Sequence, residues 1–181
     1  MEKKKHSSGW GTGFAVGIVA TVLAAIAAAM IVVYTGAYNV AANDDHTSMV
    51  RWAFETTMYN SVQARADDIE VPQDIGDASA GAADYKAMCQ HCHAGPGVKR
   101  AAWANGMLPL PPHLTKHASE WEPDEIFWLV KNGVKMSAMP AFGAHGDDQK
   151  LWNIVAFVKQ LPGMTAEEYA AVEGSSHAAK H

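Results

Sequence analysis

From residue 7 to residue 42 the chain carries no Asp, Glu, Lys or Arg, and within that stretch residues 14–34 are almost wholly apolar. A helix of those 21 residues is about 31 Å long at ~1.5 Å per residue, close to the ~30 Å hydrocarbon thickness of a bilayer. Lys3, Lys4 and Lys5 precede it, and Asp44 and Asp45 come after it. Lysines beside a span stay in the cytoplasm, so the N-terminus is expected there and everything beyond residue 42 across the membrane. Trp10 at one end and Tyr34 with Tyr38 at the other are the amphipathic aromatics that settle at membrane interfaces. A cleaved signal peptide competes, because residues 27–29 are the small side chains a peptidase accepts. Its apolar region would span only ~7–15 residues, whereas here hydrophobicity continues through Ile31, Val32 and Val33. A buried core helix is a third reading, against which the length and lack of periodicity count.

Length, charge and cysteine count limit the rest of the chain. A total of 181 residues allows one modest domain with appendages and excludes a large multidomain enzyme. A net charge of -5 gives no basic footprint, so nucleic acid is not an expected partner. Two cysteines exclude a multi-disulfide scaffold and a four-cysteine zinc site.

Four segments are expected: a cytoplasmic stub and transmembrane anchor over 1–42, an acidic stalk helix and linker over 43–78, a helical domain over 79–163, and a short helix with a disordered tail over 164–181. Residues 43–77 hold eight acids against Arg51 and Arg65. Within them, Val50, Phe54, Met58 and Val62 recur at the helical period, predicting a helix over 48–66 whose apolar stripe packs on the anchor's exit, a neighbouring subunit or a specific partner. Pro72, Gly76 and the surrounding acids then break the periodicity, so 67–79 reads as a linker able to extend roughly 43 Å at ~3.3 Å per residue.

Every periodic segment from 79 to 162 is helical: 80–91, 123–132 and 147–161. Pro123 suits a first helical turn and Gly133 the position just past a helix end. Between the helices lie the Pro- and Gly-rich loops at 95–97, 108–112 and 139–143. So much loop leaves too little core for ordinary stability, and a large bound cofactor would supply the apolar centre.

Both cysteines fall in Cys89-Gln90-His91-Cys92-His93. C-x-x-C-H is the attachment signature of a c-type haem. Thiols three apart at a helix end reach one porphyrin edge, where each forms a thioether with a vinyl group, and the adjacent His93 aims its imidazole at the iron. A thioredoxin-like site would need a strand before the helix, and none precedes Cys89. A zinc site recruiting His113 and His117 has 20 residues between Cys92 and His113, where a finger has ~12–15. A Cys89–Cys92 disulfide would close too small a loop to stabilise much. Downstream, residues 135–143 present a methionine thioether, from Met136 or Met139, on a proline-stiffened loop. His and Met together fill both axial positions and raise the reduction potential, making an electron carrier instead of an oxygen binder.

With Gly81 and Tyr85 four apart before Cys89, the CQHCH box, the Pro-rich loop, the helix from Glu125 to Asn132, and MPAFG leading into a Trp-rich terminal helix, the chain resembles the class I monohaem cytochromes c. The likeness is to the membrane-anchored form on the outer face of bacterial cytoplasmic membranes. It implies an all-α fold: an N-terminal transmembrane helix plus a small helical domain around one covalent haem c, with the helices bearing Gly81 and Leu151 crossing beside it. It also implies Cys89 and Cys92 as attachment sites, His93 and Met139 as iron ligands, and Pro111 or Pro112 as the carbonyl that accepts the His93 ring N–H. His113 and His117 are then loop polar groups, and Thr165 with Glu168 form a capping box.

The expected protein is not an enzyme. It is a single-pass electron-transfer cytochrome c with a periplasmic haem domain, bound to the lipid bilayer and passing electrons between protein redox partners, free-standing or within a respiratory complex. A haem-based gas-binding or sensor protein with an open distal side is the alternative from another class, and a thiol oxidoreductase is a third. Lys99, Arg100 and Lys116, with Lys131 and Lys135, are expected to form a basic docking patch around the haem edge.

Overall fold

The computed structural model describes residues 9–145 and 147–172. Lys3, Lys4 and Lys5, which set the expected orientation, and the tail 174–181 with His177 and His181 lie outside the described residues. Every regular element is helical, and among the described residues the only β pairing is the isolated bridge between Gly95 and Val98.

The chain divides into two units, one ending at Asp44 and the other beginning at Asp45. The first is built on α1, Gly9–Thr35. Among the described residues it is the one helix long and apolar enough to cross a membrane. Two of its hydroxyls are satisfied within the helix, Thr21 donating to the Gly17 carbonyl at 2.9 Å and Thr35 to that of Ile31 at 2.6 Å. Such bonds allow a hydroxyl to sit in hydrocarbon without an unpaired donor.

The second unit opens with α2, Ser48–Ala66, started by Thr47, whose hydroxyl accepts from the Val50 amide. Only its far end is docked: Val62 and Ala66 are buried, and Tyr59 lies 5.3 Å from the Trp121 ring. Met49, Trp52 and Phe54, near its start, remain exposed. The stripe foreseen from the sequence is therefore split, with one end committed to this unit's own core.

Residues 67–77 do not form the extendable linker expected from their composition. Ile69 and Ile75 pack against the core, and the Asp77 amide donates to the Asn153 side chain at 2.9 Å. The acids and Pro72 do prevent helix there, but an irregular segment is free only when its side chains have nothing to bury. Two isoleucines and a hydrogen bond to a residue far along the chain hold this one down.

Asp77 caps the next helix, accepting from the Ser79 and Ala80 amides. That helix runs as α3, Ala78–Asp84, through a π turn, Tyr85–Cys89, into α4, Gln90–His93. After α5, Leu114–His117, come α6, Pro123–Asn132, and α7, Asp148–Gln160. A Glu122/Glu125 capping box and Pro123 start α6, and Gly133 at φ 65° ends it. The closing helix α8, Ala166–Ala171, begins at a Thr165/Glu168 capping box.

Two packings organise the core. At Gly81, α3 meets α7 so closely that a Cβ would collide with the Asn153 carbonyl. Beside that crossing Tyr85, Ile154, Val155, Phe157 and Val158 are buried. On the other side α6 packs on α7, with the Phe127 and Trp152 rings stacked at 4.1 Å and 14°. The crossing implied by the resemblance is thus present, and glycine at 81 is its steric requirement.

Candidate haem site

The helix 78–93 delivers Cys89, Cys92 and His93 at its C-terminal end. Cys89 lies in the π turn, a single widened turn of the kind often found at functional sites. Both cysteines are partly buried and not bonded to each other. Burial, with the charges of Asp84 and Cys92 adding, pushes the Cys89 thiol up to about 12. An oxidoreductase needs a thiolate stabilised near neutral pH, so this environment disfavours that chemistry.

A turn of unusual backbone comes next. Ala94 has φ 64° and ψ -162°, and its carbonyl accepts from the buried Tyr85 hydroxyl at 2.8 Å. The chain then doubles back through paired Gly95 and Val98 hydrogen bonds, and the Ala101 amide donates to the His91 carbonyl at 2.9 Å. Over this loop lies α8. Tyr169 donates to the Gln90 side chain at 2.6 Å, and Lys86 donates to the carbonyls of Tyr169 and Val172 at the helix's C-terminal end. A Cβ on Gly95 would meet the Tyr169 ring at 2.6 Å. Sequence reasoning located the capping box of α8 but missed this clasp over the cysteine box, because nothing local couples Tyr169 to Gln90.

His93 Nδ1 lies 2.9 Å from the carbonyl oxygen of Pro112. A carbonyl only accepts, so Nδ1 carries the proton and Nε2 keeps its lone pair, the state a metal requires. Of the two prolines left open by the doubled motif, Pro112 supplies this contact, not Pro111. Burial holds the His93 pKa below the ordinary value, the Pro112 bond opposing and Arg100 and His113 adding to the depression. The ring is therefore neutral at neutral pH.

Met139 is partly buried and packs against the same core cluster as Cys89. Its loop is stiffened locally: the Val134 amide donates to the Met139 carbonyl at 3.2 Å, and the Met139 amide donates to Ser137 Oγ at 3.2 Å. Gly133 lets the loop close, since a Cβ there would stand 2.7 Å from the Met139 carbonyl oxygen. Met136, with φ 57°, projects outward and is 88% exposed.

His117 donates to Glu120 at 3.0 Å, and His113 precedes α5. Among the described residues no group of three or more His, Cys, Asp or Glu is arranged to hold a metal ion, so the zinc alternative finds no ligand set.

The expected basic patch is altered. Arg100 is only 8% exposed, and Lys131 is tied to Asp148 at 2.8 Å. Lys99, Lys116 and Lys135 remain exposed.

Two thiols on one turn, an oriented neutral imidazole and a thioether on a stiff loop are the donor set a haem c uses, and the residues present fit it. The all-α fold and this site define a monohaem cytochrome c domain. Residues 76–158 match the family described as cytochrome C oxidase, cbb3-type, subunit III, and this match supports a monohaem cytochrome c domain over that stretch. No curated protein and no solved structure matches the chain.

Proposed function

We propose that the protein is a membrane-anchored electron carrier holding one haem c. Cys89 and Cys92 would hold it through two thioether links, and His93 and Met139 would ligate its iron. When bound, the haem supplies one-electron chemistry by cycling its iron between Fe(III) and Fe(II). The chain orients His93 through Pro112, holds Met139 on a short hydrogen-bonded loop, and keeps water from the buried side through Tyr85, Phe157 and their neighbours. No substrate is transformed. The observation that carries this reading is the His93–Pro112 bond beside two thiols one turn apart, because it fixes the tautomer and orientation of an imidazole whose only free nitrogen is a metal donor.

In this reading α1 holds the protein in the bacterial cytoplasmic membrane as a single span, with the N-terminus cytoplasmic and the haem domain periplasmic. The length and composition of α1 support the anchor, and the three N-terminal lysines support the orientation. The partners are redox proteins that donate and accept single electrons, with this chain as a free carrier or as a subunit of a respiratory complex.

The test is expression in a host able to mature c-type cytochromes, then denaturing electrophoresis and haem-peroxidase staining of the membrane fraction. The wild-type band should stain, and the Cys89→Ser, Cys92→Ser double variant should not. An unstained wild-type band would remove the proposal, and a mature N-terminus near residue 30 by mass spectrometry would remove the anchor while leaving the haem.

A further inference from the structure

We propose that the first two turns of α2 rest on the lipid surface of the membrane that α1 spans. The inference rests on the reading of α1 as the anchor and asks nothing of the haem. Its observation is a helix stripe with a polarity gradient. Met49, Trp52, Ala53 and Thr56 recur at the helical period and are all exposed, Met49 at 76% and Trp52 at 66%. Continued along the helix, the same line reaches Asn60 and Gln63, both exposed and polar. The apolar part is therefore confined to the end of α2 that follows the span. Arg51 and Glu55 lie on the opposite side of the helix from Met49 and Ala53, and Arg51 is paired with Asp45 at 3.4 Å.

Chain length limits what this face can meet. α1 ends at Thr35 and α2 begins at Ser48. The intervening residues 36–47 reach about 40 Å when fully extended at ~3.3 Å each, so the start of α2 never leaves the neighbourhood of the bilayer. From Met49 to Thr56 the stripe is about 10 Å long at ~1.5 Å per residue, and a helix face of that kind sinks ~5–10 Å into the boundary between headgroups and acyl chains. Tryptophan is among the side chains that settle there, its ring in the apolar layer and its N–H towards water. A second copy of the chain is a poorer occupant. One Trp with one Met and two small residues offers roughly 300 Å², against the ~800 Å² per partner of a stable complex. Lipid contact needs no such area, because α1 already holds the chain at the membrane. The acids Asp44, Asp45 and Glu55 outnumber Arg51, so the attraction is apolar and needs no anionic lipid.

The contact has a consequence for the whole second unit. The far end of α2 is built into the core through Val62 and Ala66, with Tyr59 5.3 Å from the Trp121 ring. Residues 67–77 are fastened as well, through Ile69, Ile75 and the bond from Asp77 to Asn153. Seating the near end of α2 in the interface thus holds the entire domain against the bilayer, and it does not range over the full reach of residues 36–47. Redox partners are then met at membrane level.

The full-length chain is reconstituted into phosphatidylcholine vesicles containing a trace of phosphatidylcholine with a diazirine on its acyl chain, irradiated, digested and mapped by mass spectrometry. Residues 48–56 should carry lipid adducts several-fold above the peptide with Trp103, a tryptophan of similar exposure at 62% elsewhere in the unit. Raising the salt should leave that ratio unchanged. In the Met49→Glu, Trp52→Glu double variant the ratio should fall to one while labelling of residues 14–34 stays as in the wild type. Unlabelled residues 14–34 overturn the anchor reading and this inference with it. Labelled residues 14–34 beside a wild-type ratio of one overturn this inference alone and leave the face to a protein partner. Benzoylphenylalanine in place of Trp52, irradiated in the same vesicles, should give a lipid adduct, and a cross-linked dimer in its stead would make the occupant a second copy and overturn the inference. If the double variant does not accumulate, the wild-type ratio and the benzoylphenylalanine adduct decide.

Discussion

The Tyr85 hydroxyl donates to the Ala94 carbonyl at 2.8 Å, tying the turn before the cysteine box to the turn after it. Both residues are buried, and Ala94 is held at φ 64° and ψ -162°, a region almost exclusive to glycine. This contact brackets Cys89, Cys92 and His93 between two fixed points. Tyr85→Phe should destabilise the domain by about 1–3 kcal/mol, because the carbonyl is left buried without a donor. Ala94→Gly should do the opposite. Relief of strain, about 1–3 kcal/mol and here near the upper end, outweighs ~0.8 for the lost buried methyl and ~0.4–1 of unfolded-state entropy, leaving a net gain of about 1 kcal/mol. Denaturant unfolding of both variants at neutral pH measures the two effects.

Alkaline pH should loosen the clasp formed by α8. Burial, with the Cys89 charge adding, raises the Tyr169 phenol from 10.0 to about 12, and burial raises that of Tyr85 further. In each case the fold favours the protonated phenol. Its contribution is complete below pH 10 and, for Tyr169, is lost as pH rises from 10 towards about 12. Unfolding free energy measured against pH should fall through that window. In Tyr169→Phe the fall there should be smaller, with about 1 kcal/mol lost at neutral pH from the broken bond to Gln90.

The two methionines of the loop after Gly133 should behave differently. Met139→Ala should abolish the red-edge absorption of Met-ligated ferric haem, lower the potential and admit carbon monoxide, whereas Met136→Ala should leave all three unchanged. Optical titration of each variant distinguishes them. The reverse result would move the ligand to Met136 and leave the cytochrome c domain standing.

Electron transfer to the physiological partner should depend on salt through Lys99, Lys116 and Lys135, since Arg100 is internal and Lys131 is engaged with Asp148. Raising ionic strength from about 0.01 M to about 0.15 M shortens the screening length from ~30 Å to ~8 Å, which should slow encounter with an acidic surface. Lys135→Glu should slow it further at low salt. Stopped-flow rates across that salt range check this, and a rate indifferent to salt would indicate an apolar or permanent contact.

What was legible in the sequence is what depends on neighbours within a turn or two. The length of the apolar run, the spacing of Cys89, Cys92 and His93, the helix start at Pro123, the capping box at Thr165 and the helix end at Gly133 are all short-range events. Their partners lie three to five residues away along the chain. Gly81 and Tyr85 were legible as one helix face, though not as the specific contacts with Asn153 and Ala94 that make them necessary.

Tertiary structure decided the rest, because a side chain's type and period state how much it must bury but not against what. Pro112 was chosen over Pro111 by a contact across 19 residues of chain. Asn153, 76 residues from Asp77, turned an apparent linker into a fixed strap. Val62 is buried in this unit's core while Phe54 on the same stripe stays exposed. Arg100 reads in sequence like any surface base beside Lys99, and only the loop that folds back onto His91 takes one inward and leaves the other in water. Charge and spacing are properties of the chain, whereas burial and the identity of the opposing atom are properties of the packed whole.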